Sequence, residues 1–459
     1  MADMPNVCII GAGVSGLTAG KALGDFGVPY TCFEASDDIG GNWYFGNPNG
    51  ASSAYKSLHI DISKPSISFR DFPMPDRYPD YPHHTHIFEW LRDYADAFGL
   101  REHIRFNTRV QRAERNPQGG WRITLEDGTE HAFDALLVCN GHHWKPRYPS
   151  FPGTFDGPTI HSHDYVDPTT PIDLNGKRVL VVGIGNSAVD IVSELARKTV
   201  SDTVYLSTRS GAYVVPKYIF GKPADQVVKT NPRLPIGLQR KMGAILPRIF
   251  SGKMEDFGLP TPNHKFLDAH PTVSSELLGR LGAGDAVGKP DVRELHSDSV
   301  TFTDGTTEQI DAIVYATGYD ISFPFFDPSF LDIKDNKLSL YKRMLHPDFD
   351  DVAWVGLGQP IPTIFPFAEL QSKVAARWLS GDWAPPPRDE MREEIARDEE
   401  FHTGHFTEKP RHTMQLEWYS FQHELLTRSI PNGQERAQRG DKTGRDVAGR
   451  AKVIEAVGA

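Results

Sequence analysis

Two short glycine-rich runs hold the residues of this chain best suited to chemistry. One is Gly11-Ala12-Gly13-Val14-Ser15-Gly16; the other is Gly183-Ile184-Gly185-Asn186-Ser187-Ala188. A run of this spacing, set between an apolar strand and a helix, wraps the pyrophosphate of a dinucleotide. The glycines permit a tight turn and a close approach of backbone to phosphate. The helix N-terminus adds free N–H groups and the positive end of its dipole. At the first run, Asn6-Val7-Cys8-Ile9-Ile10 reads as the strand and Leu17 to Leu23 as the helix. The next strand, Tyr30-Thr31-Cys32-Phe33, ends in Glu34, placed to accept ribose hydroxyls. That carboxylate repels a 2′-phosphate, so Gly11, Gly13, Ser15, Gly16 and Glu34 suit FAD or NAD rather than NADP.

At the second run the strand is Lys177 to Val182, and a helix is expected from Val189 to about Lys198. The following strand, Thr203 to Leu206, ends in Ser207-Thr208-Arg209 where the first site has its acid. A guanidinium with two hydroxyls is the chemistry for a 2′-phosphate. Gly183, Gly185, Asn186, Ser187, Ala188, Ser207, Thr208 and Arg209 therefore read as an NADPH site. Asp190, near the start of the helix, suits the macrodipole and is given no catalytic role. Two nucleotide sites on one chain point to a flavoenzyme that draws electrons from a nicotinamide cofactor.

The elements that must carry these residues form an α/β fold with two Rossmann-like dinucleotide-binding domains. The expected order is an FAD domain over residues 1–166, an inserted NADPH domain with a helical cap over 167–311, and a return to the FAD domain over 312–459. Ala312 to Gly318 is the strand expected to make that return. Val110 to Arg115 and Trp121 to Leu125 alternate with period two as a hairpin, and Glu126-Asp127-Gly128-Thr129 supplies the next turn. Leu238 to Phe250 has basic and apolar residues at roughly helical spacing. It could lie on a membrane, but a cover over the cleft or an oligomer contact is the simpler reading.

Ahead of the second run, Phe155, Gly157, His161 and Tyr165 fit F-x-G-x-x-x-H-x-x-x-[YF]. Gly40-Gly41-Asn42-Trp43, Val138 to His143, Ser207 to Gly211 and Tyr315 to Tyr319 complete an ordered set of motifs. Together they resemble the flavin-containing monooxygenases, a bacterial-type soluble member most of all. The resemblance implies that NADPH reduces FAD, that O2 is captured as a C4a-(hydro)peroxyflavin, and that one oxygen passes to an amine or sulfide. It places Gly41 and Trp43 beside the flavin and adds Val110 and Gln359 as cofactor-binding residues. His161 then links the two domains and the NADPH site, while Tyr165 closes the motif. Baeyer–Villiger relatives usually carry Trp at that position.

One residue departs from the pattern. Tyr55-Lys56-Ser57-Leu58-His59-Ile60-Asp61-Ile62-Ser63-Lys64 matches a family segment in which Asn, facing the flavin, stands where this chain has Asp61. An amide donates and accepts hydrogen bonds, whereas an ionised carboxylate only accepts; burial can instead leave it protonated. Asp61, His161 and Tyr165 are the candidate catalytic residues. Asp61 leaves Baeyer–Villiger oxidation of ketones open beside N- or S-oxygenation, as well as an uncoupled NADPH oxidase. A flavin- and NADP-sensing protein is a further alternative.

Composition narrows the classes. The 459 residues carry a formal net charge of −11, which argues against nucleic-acid binding. No apolar run reaches the length of a membrane span, and Met1 to Pro5 lacks the features of a signal peptide. The three cysteines, Cys8, Cys32 and Cys139, lie in apolar runs with no Cys-x-x-Cys, which removes a disulfide-reductase reading. The cytoplasm is the expected compartment. The expected partners are a small-molecule substrate and O2. Homodimers are common in the family, and the sequence leaves the assembly open. His83-His84-Thr85-His86 could chelate a metal, but no ligand partner stands at familiar spacing and no metal site is expected. The polar tail from Asn432 is expected to be mobile.

Overall fold

A computed structural model describes residues 3–228, 249–266, 268–331, 333, 335–405 and 413–458. The chain opens with β1 (Val7–Ile10), α1 (Val14–Asp25) and β2 (Tyr30–Phe33), then α2 (Lys64–Ile67) and α3 (His84–Ala97). Next come β3 (Ile104–Arg105), β4 (Val110–Arg115), β5 (Trp121–Leu125), β6 (Glu130–Phe133) and β7 (Ala135–Val138). β8 (Thr159–His161), β9 (Arg178–Val182), α4 (Asn186–Leu195) and β10 (Thr203–Ser207) carry the second glycine run.

Short pieces follow: β11 (Val214–Val215), β12 (Tyr218–Ile219), β13 (Lys222–Pro223), α5 (Ala224–Val227) and β14 (Thr272–Val273). β15 (Ala286–Lys289), β16 (Val292–Leu295), β17 (Ser299–Phe302), β18 (Thr307–Gln309) and β19 (Ala312–Tyr315) lead to β20 (Val352–Trp354), β21 (Gln359–Ile361) and β22 (Gln415–Glu417).

Two parallel five-stranded sheets result. The first has the order β20-β7-β1-β2-β3 and the second β15-β10-β9-β19-β8. In the first, Val7-Cys8-Ile9-Ile10 and Ala135-Leu136-Leu137-Val138 are buried along their whole length, as is Val179 to Val182 of the central strand of the second. A parallel strand covered on both faces reads as a continuous apolar run, which is why these were legible. α1 covers the first sheet together with the long helix Phe365–Ser380. Leu17 and Leu23 pack in one core with Val374 and Leu379, and the Thr18 and Ser372 hydroxyls meet at 2.9 Å. The β4-β5-β6 meander lies on the other face, where Trp121 and Ile123 share a core with Cys8, Phe33 and Trp354.

Several expectations are corrected. Ala312–Tyr315 does not return the chain to the first sheet: it pairs in parallel with β9 and with β8, so both motif strands flanking the expected insertion belong to the second sheet. The second sheet therefore draws its strands from residues 159 to 315. α4 starts at Asn186, three residues before the expected Val189, because Gly185 already caps it in extended geometry. The tail from Asn432 is folded. It forms most of the helix Ile430–Gln438 and all of Arg450–Gly458, and Ala451 donates its N–H to Asp134 at 2.7 Å. Of the basic stretch Leu238 to Phe250, all but Ile249 and Phe250 lie outside the described residues. Among the described residues no helix is long and apolar enough to cross a membrane, and no group of histidines, cysteines or carboxylates could hold a metal ion. The three cysteines are free and buried.

Candidate cofactor and active site

The first glycine run turns between β1 and α1 with Gly11 at φ +100°. A Cβ on Gly16 would stand 1.8 Å from the Gly11 carbonyl oxygen, so only glycine lets helix and turn come this close. Gly13 caps α1 without a side chain, leaving the first N–H groups of the helix available to an anion. A cavity of about 480 Å3 opens here, lined by Gly11, Gly13, Ser15, Glu34, Gly41, Trp43 and Val110 among others. Gly16 does not line it; its place is the close contact beneath.

Glu34 is buried at the end of β2. Its carboxylate accepts the N–H of Ala12 at 2.6 Å and of Ser36 at 2.8 Å, and the Asn49 amide at 3.2 Å. Burial raises its pKa while those donors oppose the rise. A carboxylate has about four acceptor sites, so these bonds leave capacity for a ribose hydroxyl. The residues present thus fit the adenosine and pyrophosphate part of a dinucleotide. Thr108, Arg109, Asn140 and Phe325 line the same cavity and were not foreseen. Thr108, Arg109 and Asn140 lie within two residues of β4 or β7, and Phe325 is brought in by its carbonyl, which accepts the Ala113 N–H at 2.8 Å; sequence spacing carries no signal for such pairings.

The second run turns after β9. Gly183 has φ +135°, and a Cβ there would lie 2.3 Å from the Ala316 carbonyl oxygen. Its N–H donates to the Ser207 carbonyl at 2.9 Å, which brings the end of β10 beside the turn. Gly185, Asn186, Ser187 and Ala188 line a second cavity of about 360 Å3, with Tyr55, Leu58, Tyr319 and Gln359 in its wall. Ser207, Thr208 and Arg209 lie outside it. The Ser207 hydroxyl donates to the Pro290 carbonyl at 2.6 Å and the Thr208 hydroxyl to the Ser210 carbonyl at 2.7 Å, while Arg209 is exposed. Only Arg209 of these three is left to reach outward, as a 2′-phosphate ligand must.

Asn42, Trp43, His142, His143 and Ile364 line both cavities, so the two spaces adjoin. Trp43 packs edge-on against Phe365 at 5.7 Å. His142 is buried, and desolvation, aided by His143, holds its pKa well below the usual histidine range. A neutral imidazole therefore stands where the cavities meet.

The three candidate catalytic residues line neither cavity. Asp61 does not face the flavin cavity as expected; its Oδ1 lies 3.7 Å from Lys217 Nζ and has no hydrogen-bond partner. Burial, then the nearby Asp190, pushes its pKa well up, and Lys217 opposes this. His161 ends β8, fully buried between the rings of Tyr148 and Tyr319, and its Nδ1 accepts the His163 N–H at 3.1 Å. Burial, then His163, lowers its pKa to about 4, so it is a neutral packing residue at physiological pH. Tyr165 is buried and donates its hydroxyl to Glu194 at 2.9 Å. Asp190, set aside in the sequence, accepts the Tyr55 hydroxyl at 2.5 Å.

Comparison with known proteins adds the following. The chain matches the family model described as flavin-binding monooxygenase-like over residues 4–432. It is 37% identical over 443 residues to flavin-containing monooxygenase 5 of Cavia porcellus, covering 91% of this chain and 81% of that protein. It is 37% identical over 447 residues to dimethylaniline monooxygenase [N-oxide-forming] 2 of Rattus norvegicus, again covering 91% and 81%. Among solved structures, S-allyl-L-cysteine S-oxygenase of Allium sativum superposes with a TM-score of 0.69 at 25% identity, covering 96% of this chain and 90% of that one.

Proposed function

The chain belongs to the flavin-binding monooxygenase-like family and is an NADPH-dependent flavin monooxygenase with FAD and NADPH as cofactors, and we propose that it oxygenates soft nucleophiles at nitrogen or sulfur. Carrying this reading is the adjoining of two dinucleotide-type cavities at Asn42, Trp43, His142 and His143. In this reading Gly11, Gly13, Ser15, Glu34, Gly41, Trp43 and Val110 hold FAD. Gly185, Asn186, Ser187, Ala188 and Gln359 hold NADPH, with Arg209 on its 2′-phosphate. Gly16 and Gly183 shape the turns.

Held here and reduced by NADPH, a flavin would supply the two electrons that activate O2, one oxygen atom going to the acceptor and the other to water. The protein's part is to bind, orient and exclude water. At the junction Trp43 and Ile364 supply apolar surface beside Asn42, His142 and His143, and the neutral His142 adds no charge to it. Relatives named for N-oxide formation and for S-oxygenation support the choice of acceptor. Asp61, the ground for ketone oxidation, lines neither cavity and lies 3.7 Å from Lys217, which supports acceptors at nitrogen or sulfur. Three free, buried cysteines fit a reducing compartment, and the cytoplasm is part of this proposal, as is the homodimer common in the family.

The test is product analysis under 18O2 with NADPH and three acceptors: a tertiary arylamine, a thioether and a cyclic ketone. Labelled N-oxide or sulfoxide is expected, at a yield close to the NADPH consumed. Labelled lactone alone, or hydrogen peroxide equal to the NADPH consumed, would overturn the proposal.

A further inference from the structure

Two carboxylates, Asp190 and Glu194, lie one turn apart on α4, so they share a face of that helix. Asp190 accepts the Tyr55 hydroxyl at 2.5 Å; Glu194 accepts the Ser57 hydroxyl at 3.0 Å and the Tyr165 hydroxyl at 2.9 Å. All three donors lie outside the helix, on segments 55–57 and 165. Tyr55 and Tyr165 are buried, with ring centroids 6.2 Å apart. Placing carboxylates in such surroundings is costly unless each is paired, and packing alone would be served by apolar residues. The placement is informative. α4 begins at Asn186, and its first residues line the second cavity, whose wall also contains Tyr55 and Leu58. The Tyr55–Asp190 bond therefore joins that wall to the helix whose start shapes the cavity.

We propose that Asp190 is a positioning residue for the nicotinamide dinucleotide: by accepting the Tyr55 hydroxyl it fixes the wall segment 55–58 against the start of α4. Glu194, through Ser57 and Tyr165, makes a second tie one turn further on. The inference rests on reading Gly183 to Ala188 as the NADPH site. Charge-assisted hydrogen bonds are stronger than neutral ones, and loss of one with its partner left buried costs on the order of a tenfold change in an equilibrium constant.

The test uses the FAD-loaded protein and NADP+ as probe, with the dissociation constant read calorimetrically and FAD content read by absorbance. Tyr55→Phe and Asp190→Ala should each weaken NADP+ binding roughly tenfold with FAD content unchanged. Asp190→Asn, which keeps an acceptor, should stay within about threefold of the parent. The double variant Tyr55→Phe/Asp190→Ala should bind no worse than the weaker single variant, because both remove one interaction. If Asp190→Ala fails to hold FAD, Tyr55→Phe decides the matter, since it removes a single oxygen atom. Unchanged binding in Tyr55→Phe, or additive losses in the double variant, would overturn the inference. Arg209→Ala separates the two levels. If it leaves NADP+ affinity unchanged, the site reading fails; if it weakens NADP+ while Tyr55→Phe does not, only the positioning role fails.

Discussion

Asp61 and Asp190 are two carboxylates near one lysine, Lys217, and both have pKa values raised chiefly by burial, that of Asp190 to about 6. A carboxyl whose folded pKa lies above its ordinary value of 3.8 binds its proton more tightly in the folded state. Its contribution to stability is full below the ordinary value and is lost as pH rises through the raised one. Asp61→Asn removes the carboxyl whose ionisation burial opposes. The variant should be more stable than the parent at pH 8, and the gain should vanish near pH 4. Denaturant unfolding across that range measures it; parallel pH profiles for the two proteins would contradict the account. The departure at Asp61 was legible in the sequence, but its partner was not. Lys217 stands far along the chain, and no local pattern links the two. The same distance hid the roles of Asp190 and Glu194, whose donors come from segments that only the folded chain brings near.

At the scale of elements, each glycine run works because a strand, a turn and a helix meet without side chains between them. Gly16 is the strictest position, its missing Cβ lying 1.8 Å from the Gly11 carbonyl. Gly16→Val should give protein that loses FAD on desalting, to below about a tenth occupancy by the tenfold-per-1.4 kcal/mol rule, while α4 and its NADP+ site persist. Full FAD content would show that the turn tolerates what its geometry forbids. These strand–turn–helix units were readable because apolar runs, glycines and strand-end residues are all local signals. The expected return of β19 to the first sheet fails for the opposite reason. Ala312-Ile313-Val314-Tyr315 is the same apolar run whichever sheet it joins, and only register, Val314 against Ile160 and Val181, decides. The helical tail was misread because its anchoring residues are charged. Arg450 looks solvated in sequence, yet it reaches two carboxylates.

At the scale of the molecule, those carboxylates tie the end of the chain to its first lobe. Asp351 is fully buried and accepts from Arg115 at 2.8 Å, the Gly120 N–H at 3.0 Å and Arg450 at 3.2 Å. Asp350 accepts from Arg450 at 2.8 Å. Burial would raise its pKa, but the bonds to Arg450 and Lys442 prevail and hold it well below the carboxylate range. That contribution is present above the ordinary pKa and is lost as pH falls through and below it. Arg450→Ala should destabilise the protein by about 2 kcal/mol, less than for breaking a fully buried pair, because the Arg450 side chain is 21% exposed. Urea unfolding at pH 7 reads this directly, and a change within about 0.5 kcal/mol, as for ordinary surface substitutions, would mean the tail is dispensable.

The two sheets also differ in when they can be completed. All strands of the second come from one continuous stretch, residues 159 to 315. The first needs β20, from residues 352–354, to pair with β7, and Asp134 is bonded both by the Asn6 N–H and by the Ala451 N–H. During synthesis the second lobe can close while the ribosome is still making the rest, whereas β7, paired with β1 on one side only, must wait for β20 to emerge. The part of the chain made first is thus the part finished last, and its exposed sheet edge between β7 and the missing β20 is where a chaperone holding the nascent chain has reason to bind.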